Sequence, residues 1–395
     1  MPKKTYVYIG SWRSNSDSAK GIGIYEYNEE TGTMKYVKTV IDTIVIGALY
    51  IDKNRDVLYC TDELPYNADN NRGSFGGGGG QALALKIDPE TGDLNLISRV
   101  PSYGANPSFV ATDPESGYLL LTNYGTRDVS LTKTAKDVFG KYRILVEHDE
   151  SNIVLYPLNP DGTIAEPADI FRLNNEGPEA FQMSSHAHMI QRSPSGRLYA
   201  VCDKGGDRVY MFSLDYGNNK LVPLCEPWKS KAGVCPRYCV FHPSLPFLFV
   251  DNEDETTVAS LRYDETGALE HICTVNSMPD GEPPKHGIIQ TDICLDKAGR
   301  YVYVLMRVLN MVAVFKLDEY TGELTKIQNV KLPGEGPRGC KVSPDGRFLW
   351  VANMDSNSLC RCAIGKDGKL TGVKSVMEHN KPGCITFYRP EEQER

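Results

Sequence analysis

PRGCKVSPDGRFLWVANMDSNSLCRCAIGKDGKLTGVKSV, residues 337–376, decides the fold of this chain. It reads as four short strands, Gly339–Ser343, Arg347–Asn353, Ser358–Ile364 and Leu370–Val376. Turns at Pro344-Asp345-Gly346, Asp355-Ser356-Asn357 and Lys366-Asp367-Gly368 separate them. Proline presets one turn dihedral and glycine accepts the positive φ that closes the turn, so the apolar runs on either side become antiparallel partners. The same turn-then-strand signature recurs at Asp113-Pro114-Glu115-Ser116-Gly117 before YLLLTN, Ser193-Pro194-Ser195-Gly196 before RLYAVCD and His242-Pro243-Ser244 before FLFVDNE. Asp296-Lys297-Ala298-Gly299 precedes RYVYVLMR, and a degenerate copy, Asp52-Lys53-Asn54-Arg55, precedes VLYCTDE. Out of phase with these, polar glycine turns such as Glu30-Thr31-Gly32, Glu90-Thr91-Gly92, Glu265-Thr266-Gly267 and Tyr320-Thr321-Gly322 close the later hairpins. Their spacing of roughly 45 to 70 residues belongs to propeller blades or a solenoid.

Six whole units begin near residues 43, 104, 184, 234, 286 and 336. A seventh is assembled from both ends: Gly383–Tyr388 supplies its first strand, and Tyr6–Gly10, Gly23–Asn28 and Met34–Val40 the other three. Joining the termini closes the ring and removes open sheet edges. The expectation is therefore an all-β, seven-bladed β-propeller with four antiparallel strands per blade, one domain over residues 1–395.

Composition narrows the function. A net charge of -8, with no basic run longer than Lys3-Lys4, excludes nucleic acid as a partner. The N-terminus enters strand-like alternation directly, and no apolar run approaches the ~20 residues of a membrane span. A cytoplasmic protein with no membrane partner is expected. The eleven cysteines fall mostly inside strand-like segments, among them Cys60, Cys202, Cys239, Cys294 and Cys340, and read as buried thiols of a reducing compartment. Cys360 and Cys362 lack a second pair at zinc spacing. The run Gly76–Gly80 lacks the Gly-Lys-Ser/Thr of a phosphate loop, and no Gly-x-Ser-x-Gly elbow is present. No cofactor is expected.

Two connections are long, residues 63–80 and 125–151, the second carrying Lys133, Lys136, Lys141 and Arg143. Both join second to third strands, so both emerge on one rim, where long loops frame a binding site. In an antiparallel blade the start of the first strand and the end of the second share an edge. That rule gathers Asn106, His186, His188, Arg237, His286 and Arg338 with Asp62, Glu63, Asn123, Tyr124, Asp203, Lys204, Asn252, Glu253, Arg307 and Asn353 around one mouth of the axial channel. Arginine's fork recognises carboxylate or phosphate with paired hydrogen bonds, which suits a small anion. Arg237 and Arg338, each after a proline, either pair with a neighbouring blade's carboxylate as part of the frame or face the cup. His186 and His188 form an H-x-H that alternation places on one side; they are wall residues, acid/base groups or, with a third ligand such as His286 or Asp203, a metal site that nothing else in the sequence signals.

At these residues the chain resembles the lactonase family of seven-bladed propellers, which includes the propeller type of 6-phosphogluconolactonase and carboxy-cis,cis-muconate cyclase. The resemblance covers essentially the whole chain and is strongest from Ser184 to Val351, in SSHAHMIQRSPSGRLYAVCDKGGDRVYMF, CPRYCVFHPSLPFLFVDNEDETTV, ICLDKAGRYVYVLMRVLNMVAVFKLD and GPRGCKVSPDGRFLWVAN. It implies a catalytic set of His188, Arg237, Glu253 and Arg307, with Arg338 as the recurring Pro-Arg of the next unit. Tyr238 stands where a histidine commonly follows Pro-Arg, and Met306 and Val308 replace the usual asparagine and glycine around Arg307. The expected activity is metal-independent hydrolysis of a small anionic sugar-acid lactone, with 6-phosphogluconolactone the candidate. Glu253 or His188 would activate water, Arg237 would meet the oxyanion, and Arg307 with Arg338 would hold the substrate's phosphate or carboxylate. His186, His286, Lys204, Asn123 and Asn353 complete the expected substrate-binding wall. A lactonising cycloisomerase of a dicarboxylate and a non-catalytic propeller binding a protein partner are the alternatives.

Overall fold

The computed structural model describes residues 4–12, 21–65, 79–126 and 130–390, and every regular element among them is a strand. The seven inner strands are Ile46–Asp52, Pro107–Asp113, Ala187–Arg192, Pro236–Phe241, Gln290–Leu295, Pro337–Val342 and Pro382–Tyr388, opening blades one to seven in that order. Each packs against the next, and the seventh returns to the first, so the ring is closed. Blade seven joins Pro382–Tyr388 from the C-terminal side to Thr5–Ser11, Ile22–Asn28 and Thr33–Val40 from the N-terminal side, with Tyr6 opposite Tyr388 and Tyr8 opposite Thr386. The chain is a seven-bladed β-propeller.

Middle strands are buried on both faces because each blade lies between two others. Val57–Asp62, Phe247–Asn252 and Tyr301–Met306 are buried at every position, whereas the outermost strand Thr33–Val40 is mostly exposed or half-buried. This explains the near-continuous apolar runs of the second strands, which alternation alone does not predict.

The glycine turns of the far rim lock neighbouring blades together. Tyr8, Tyr59 and Tyr303 donate their hydroxyls to the carbonyls of Gly92, Gly162 and Gly368 in the next blade, at 3.0, 2.8 and 3.0 Å. Ser260 does the same to Gly322 at 2.6 Å. Gly322 has φ +83°, and a Cβ there would meet Ile272 and Phe247 at 2.5 and 2.6 Å, so both backbone and packing require glycine.

The second long connection is partly regular: Ser130–Lys136 and Tyr142–His148 form an antiparallel hairpin. Residues 66–78 of the first long connection and 127–129 of the second lie outside the described residues. Blade three carries a short additional strand, Trp228–Lys229, against its third strand.

Candidate active site

Every blade has a β-bulge at the start of its inner strand, and these seven bulges build the site. The first and second strands pair Pro236 with Asn252 and then Tyr238 with Asp251, leaving Arg237 as the extra residue. The same one-residue excess falls on Ser108, His188 and Arg338, on the Gly47-Ala48 and Thr291-Asp292 steps, and on Gly383. A bulge twists the strand and re-aims a side chain. The excess residue of blades three, four and six thus turns a histidine and two arginines to the mouth.

A second tier follows the second strands. The residue just past each one donates its backbone N–H to the carbonyl two residues before the bulge, over 2.8–3.0 Å: Glu63 to Val45, Tyr124 to Asn106, Lys204 to His186, Glu253 to Cys235, Arg307 to Ile289, Met354 to Gly336 and Trp12 to Lys381. Seven equivalent hydrogen bonds therefore place Glu63, Tyr124, Lys204, Glu253, Arg307, Met354 and Trp12 at one height on one rim. Ile289 adopts φ +60°, a costly conformation for a β-branched residue, at the point where it holds Arg307.

Charges in these tiers are paired. Glu253 lies between two cations, accepting Arg237 Nε at 3.0 Å and contacting Lys204 Nζ. Arg237 also donates to the Thr291 carbonyl and lies over the Tyr238 ring at 4.4 Å. Arg338 reaches Glu63 at 3.3 Å and stacks on Trp12 at 4.2 Å. Arg307, more open than the other two arginines, faces Asp355 at 3.5 Å. Burial pulls Arg307 below the usual arginine value, reinforced by Arg338 and Arg237 and opposed by Asp355. Four cations, Arg237, Arg307, Arg338 and Lys204, therefore line the cup, each with a carboxyl partner.

His188 is held between aromatic edges, Tyr124 at 5.3 Å and Tyr238 at 5.4 Å, and its buried Nδ1 has no hydrogen-bond partner among the described residues. Burial, then Arg237 and Lys204, drive its pKa well below the ordinary histidine value, so the ring is neutral. Beneath the cup, burial raises Asp251 to about 7 and Asp292 to about 6, each opposed by Arg237. An axial cavity of about 500 Å³ continues from Arg338, Tyr238 and Asp292 to Pro243 and Pro344 at the far rim.

The structure gathers His188, Arg237, Glu253, Arg307, Arg338 and Lys204 in one cup and gives the other candidates different surroundings. His286 is four residues ahead of the inner strand of blade five, 64% exposed and bound to Asp254 at 2.8 Å, because the bulge of that blade falls at Thr291-Asp292. His186 precedes its strand, stacks on Tyr124 at 4.4 Å and bonds the Tyr124 carbonyl at 2.9 Å; the bulge at His188 breaks the alternation expected of an H-x-H. Among the described residues no three potential ligands cluster to hold a metal. Asn123 and Asn353 are fully buried frame residues: Asn123 donates to the Ser102 carbonyl at 2.6 Å, and both pack on loop glycines, Gly104 and Gly334. Sequence reasoning missed Trp12, although Trp12 follows a second strand just as Glu253 does; that strand belongs to the blade split between the termini.

The model of a family described as lactonase, 7-bladed beta-propeller, matches residues 6–387. A 6-phosphogluconolactonase of Bacillus subtilis is 25% identical over 390 residues, covering 96% of this chain and 97% of its own. One from Formosa agariphila is 24% identical and covers 89% of this chain and 90% of its own. The solved periplasmic gluconolactonase of Pseudomonas aeruginosa superposes with a TM-score of 0.80 at 22% identity, over 97% of this chain and 99% of that one, a likeness of fold.

Proposed function

Since this chain belongs to the lactonase family of seven-bladed β-propellers, we propose that it hydrolyses a sugar-acid lactone bearing an anionic group, with 6-phosphogluconolactone the leading substrate. The observation that carries the reading is the convergence of Glu253, Arg237, Lys204, Arg307 and Arg338 on one rim, three arginines and a lysine facing one cup. Names of the relatives support the same substrate class.

Glu253 takes the proton from water as it adds to the lactone carbonyl. Arg237, already hydrogen-bonded and oriented, meets the oxyanion that forms, and a preorganised donor of this kind accounts for ~10²–10³ in rate. A positioned general base contributes ~10²–10⁴. His188, whose buried Nδ1 has no hydrogen-bond partner among the described residues, is the alternative base. Arg307, the most accessible of the three arginines, receives the phosphate or carboxylate at the cup's open side.

Hydrolysis of freshly generated 6-phosphogluconolactone and of unphosphorylated gluconolactone tests this. Acceleration of the phosphorylated lactone over the spontaneous rate, with a smaller effect on the neutral one, is expected. No acceleration of either, or of a wider lactone panel, overturns the proposal.

A further inference from the structure

Glu63 takes no part in the scheme above, yet residues of the two preceding blades converge on its carboxyl group. Trp12, from blade seven, donates its indole N–H to Oε2 at 2.7 Å. Arg338, from blade six, reaches the same oxygen at 3.3 Å. The Arg338 guanidinium in turn lies over the Trp12 ring, 4.2 Å from its centre, so each holds the other in place. Two bulge glycines make the arrangement sterically possible. A Cβ on Gly47 would come within 2.6 Å of Glu63 Oε2, and one on Gly383 within 2.7 Å of the Trp12 Cβ.

In the tier that follows the second strands, Glu63 of blade one is the positional equivalent of Glu253 of blade four. Three steps apart in a ring of seven, these two carboxyl groups stand on opposite sides of the cup. Their surroundings differ in the sense that separates acid from base. Glu253 is bracketed by Arg237 and Lys204. Glu63 is raised above the usual carboxylate value by burial, opposed by Arg338, the Trp12 hydrogen bond and Arg237. Tyr238 and Cys384 are further titratable groups that face Glu63. Two carboxyl groups in unlike environments are the usual way one site runs both acid and base chemistry.

Opening a lactone moves two protons, one off the attacking water and one onto the ring oxygen, a poor leaving group as an alkoxide. Resting on the hydrolase reading, we propose that Glu63 is the general acid that protonates the ring oxygen, and that Trp12 and Arg338 are its positioning residues. The water oxygen bonds to the carbonyl carbon while its proton passes to Glu253. The tetrahedral intermediate then collapses, the acyl carbon–ring oxygen bond breaks with its electron pair going to oxygen, and the Glu63 proton follows. Because Oε2 already accepts two hydrogen bonds, the proton is carried on Oε1. Glu63 regains a proton from solvent and Glu253 loses one, leaving the hydroxy acid as the only net product.

The test compares Glu63→Gln with the native chain on a lactone and on the thiolactone of the same ring, whose thiolate leaves without protonation. The variant should lose ~10² in kcat on the lactone and far less on the thiolactone, and it should lose the alkaline limb of the lactone pH profile. Trp12→Phe, which removes only the indole N–H, should shift the same limb and reduce the rate less. Equal losses on both substrates, or no loss on either, overturn the assignment while native activity stands. A native chain inactive on every lactone instead overturns the hydrolase reading beneath it.

Discussion

The two rims of this propeller are built from the same strands and use opposite strategies. At the far rim the turns are nearly alike because all of them fasten blade to blade, with Tyr8, Tyr59, Tyr303 and Ser260 each gripping a glycine carbonyl of the neighbour. At the mouth the backbone is equally repetitive, with a bulge and one recurring hydrogen-bond geometry in every blade, but the side chains differ from blade to blade. Repetition of residues marks mechanics, and variation on a repeated backbone marks chemistry. Seven equivalent positions act as sockets, and under the proposed function the substrate reads what fills them.

The strongest way to break this contrast is at the mouth. Glu253→Gln keeps the shape of the side chain but leaves Arg237 and Lys204 without their carboxylate, so it should lower kcat on the lactone per folded molecule by ~10²–10⁴ and also cost stability; a fall in stability with normal kcat would reverse the roles assigned to the two rims. Next is the far rim. Gly322→Ala forces a Cβ against Ile272 and Phe247 at a left-handed φ, and should cost ~1–3 kcal/mol in denaturant unfolding while kcat/KM per folded molecule stays the same.

A smaller effect is expected from Tyr59→Phe, which strips the hydroxyl from the Gly162 carbonyl. About 1 kcal/mol of stability should go, again without a kinetic change, and altered KM would show that the rims communicate. The last effect is confined to a pH window. Asp251 is held near 7 in the native state, above the usual carboxylate value, so the folded chain keeps a proton that the unfolded chain has released. Its contribution is complete at acid pH and is lost as pH rises from roughly 4 to 7, with a slope of at most ~1.4 kcal/mol per unit for one proton. Asp251→Asn should therefore gain stability relative to the native chain across that window and hold the gain above it; parallel pH–stability curves would show that the carboxyl does not titrate there.

How much of this is legible in the sequence follows from what each feature depends on. The far rim can be read because a Pro-Asp-Gly or Glu-Thr-Gly turn is a local event, and the ring can be counted from it. The mouth can be located, since chain reversal alone puts strand starts and strand ends together, and His188, Arg237, Glu253, Arg307 and Arg338 do meet there. The bulges cannot. One extra residue changes which face every earlier side chain occupies, and no hydrophobic pattern marks it, so strand position cannot tell the orientation of His186 from that of His188, nor place the bulge of blade five at Thr291-Asp292. Trp12 and its hold on Glu63 depend on a blade stitched from opposite ends of the chain.

By itself, then, the sequence determined the repeat, the number of blades and the rim that carries charge, because these rest on turns and strands of a few residues each. Only the tertiary structure decided which charges face one another. Arg338 and Glu63 lie 275 positions apart along the chain, and their meeting with Trp12 is set by ring closure and by bulges that no short stretch of sequence encodes.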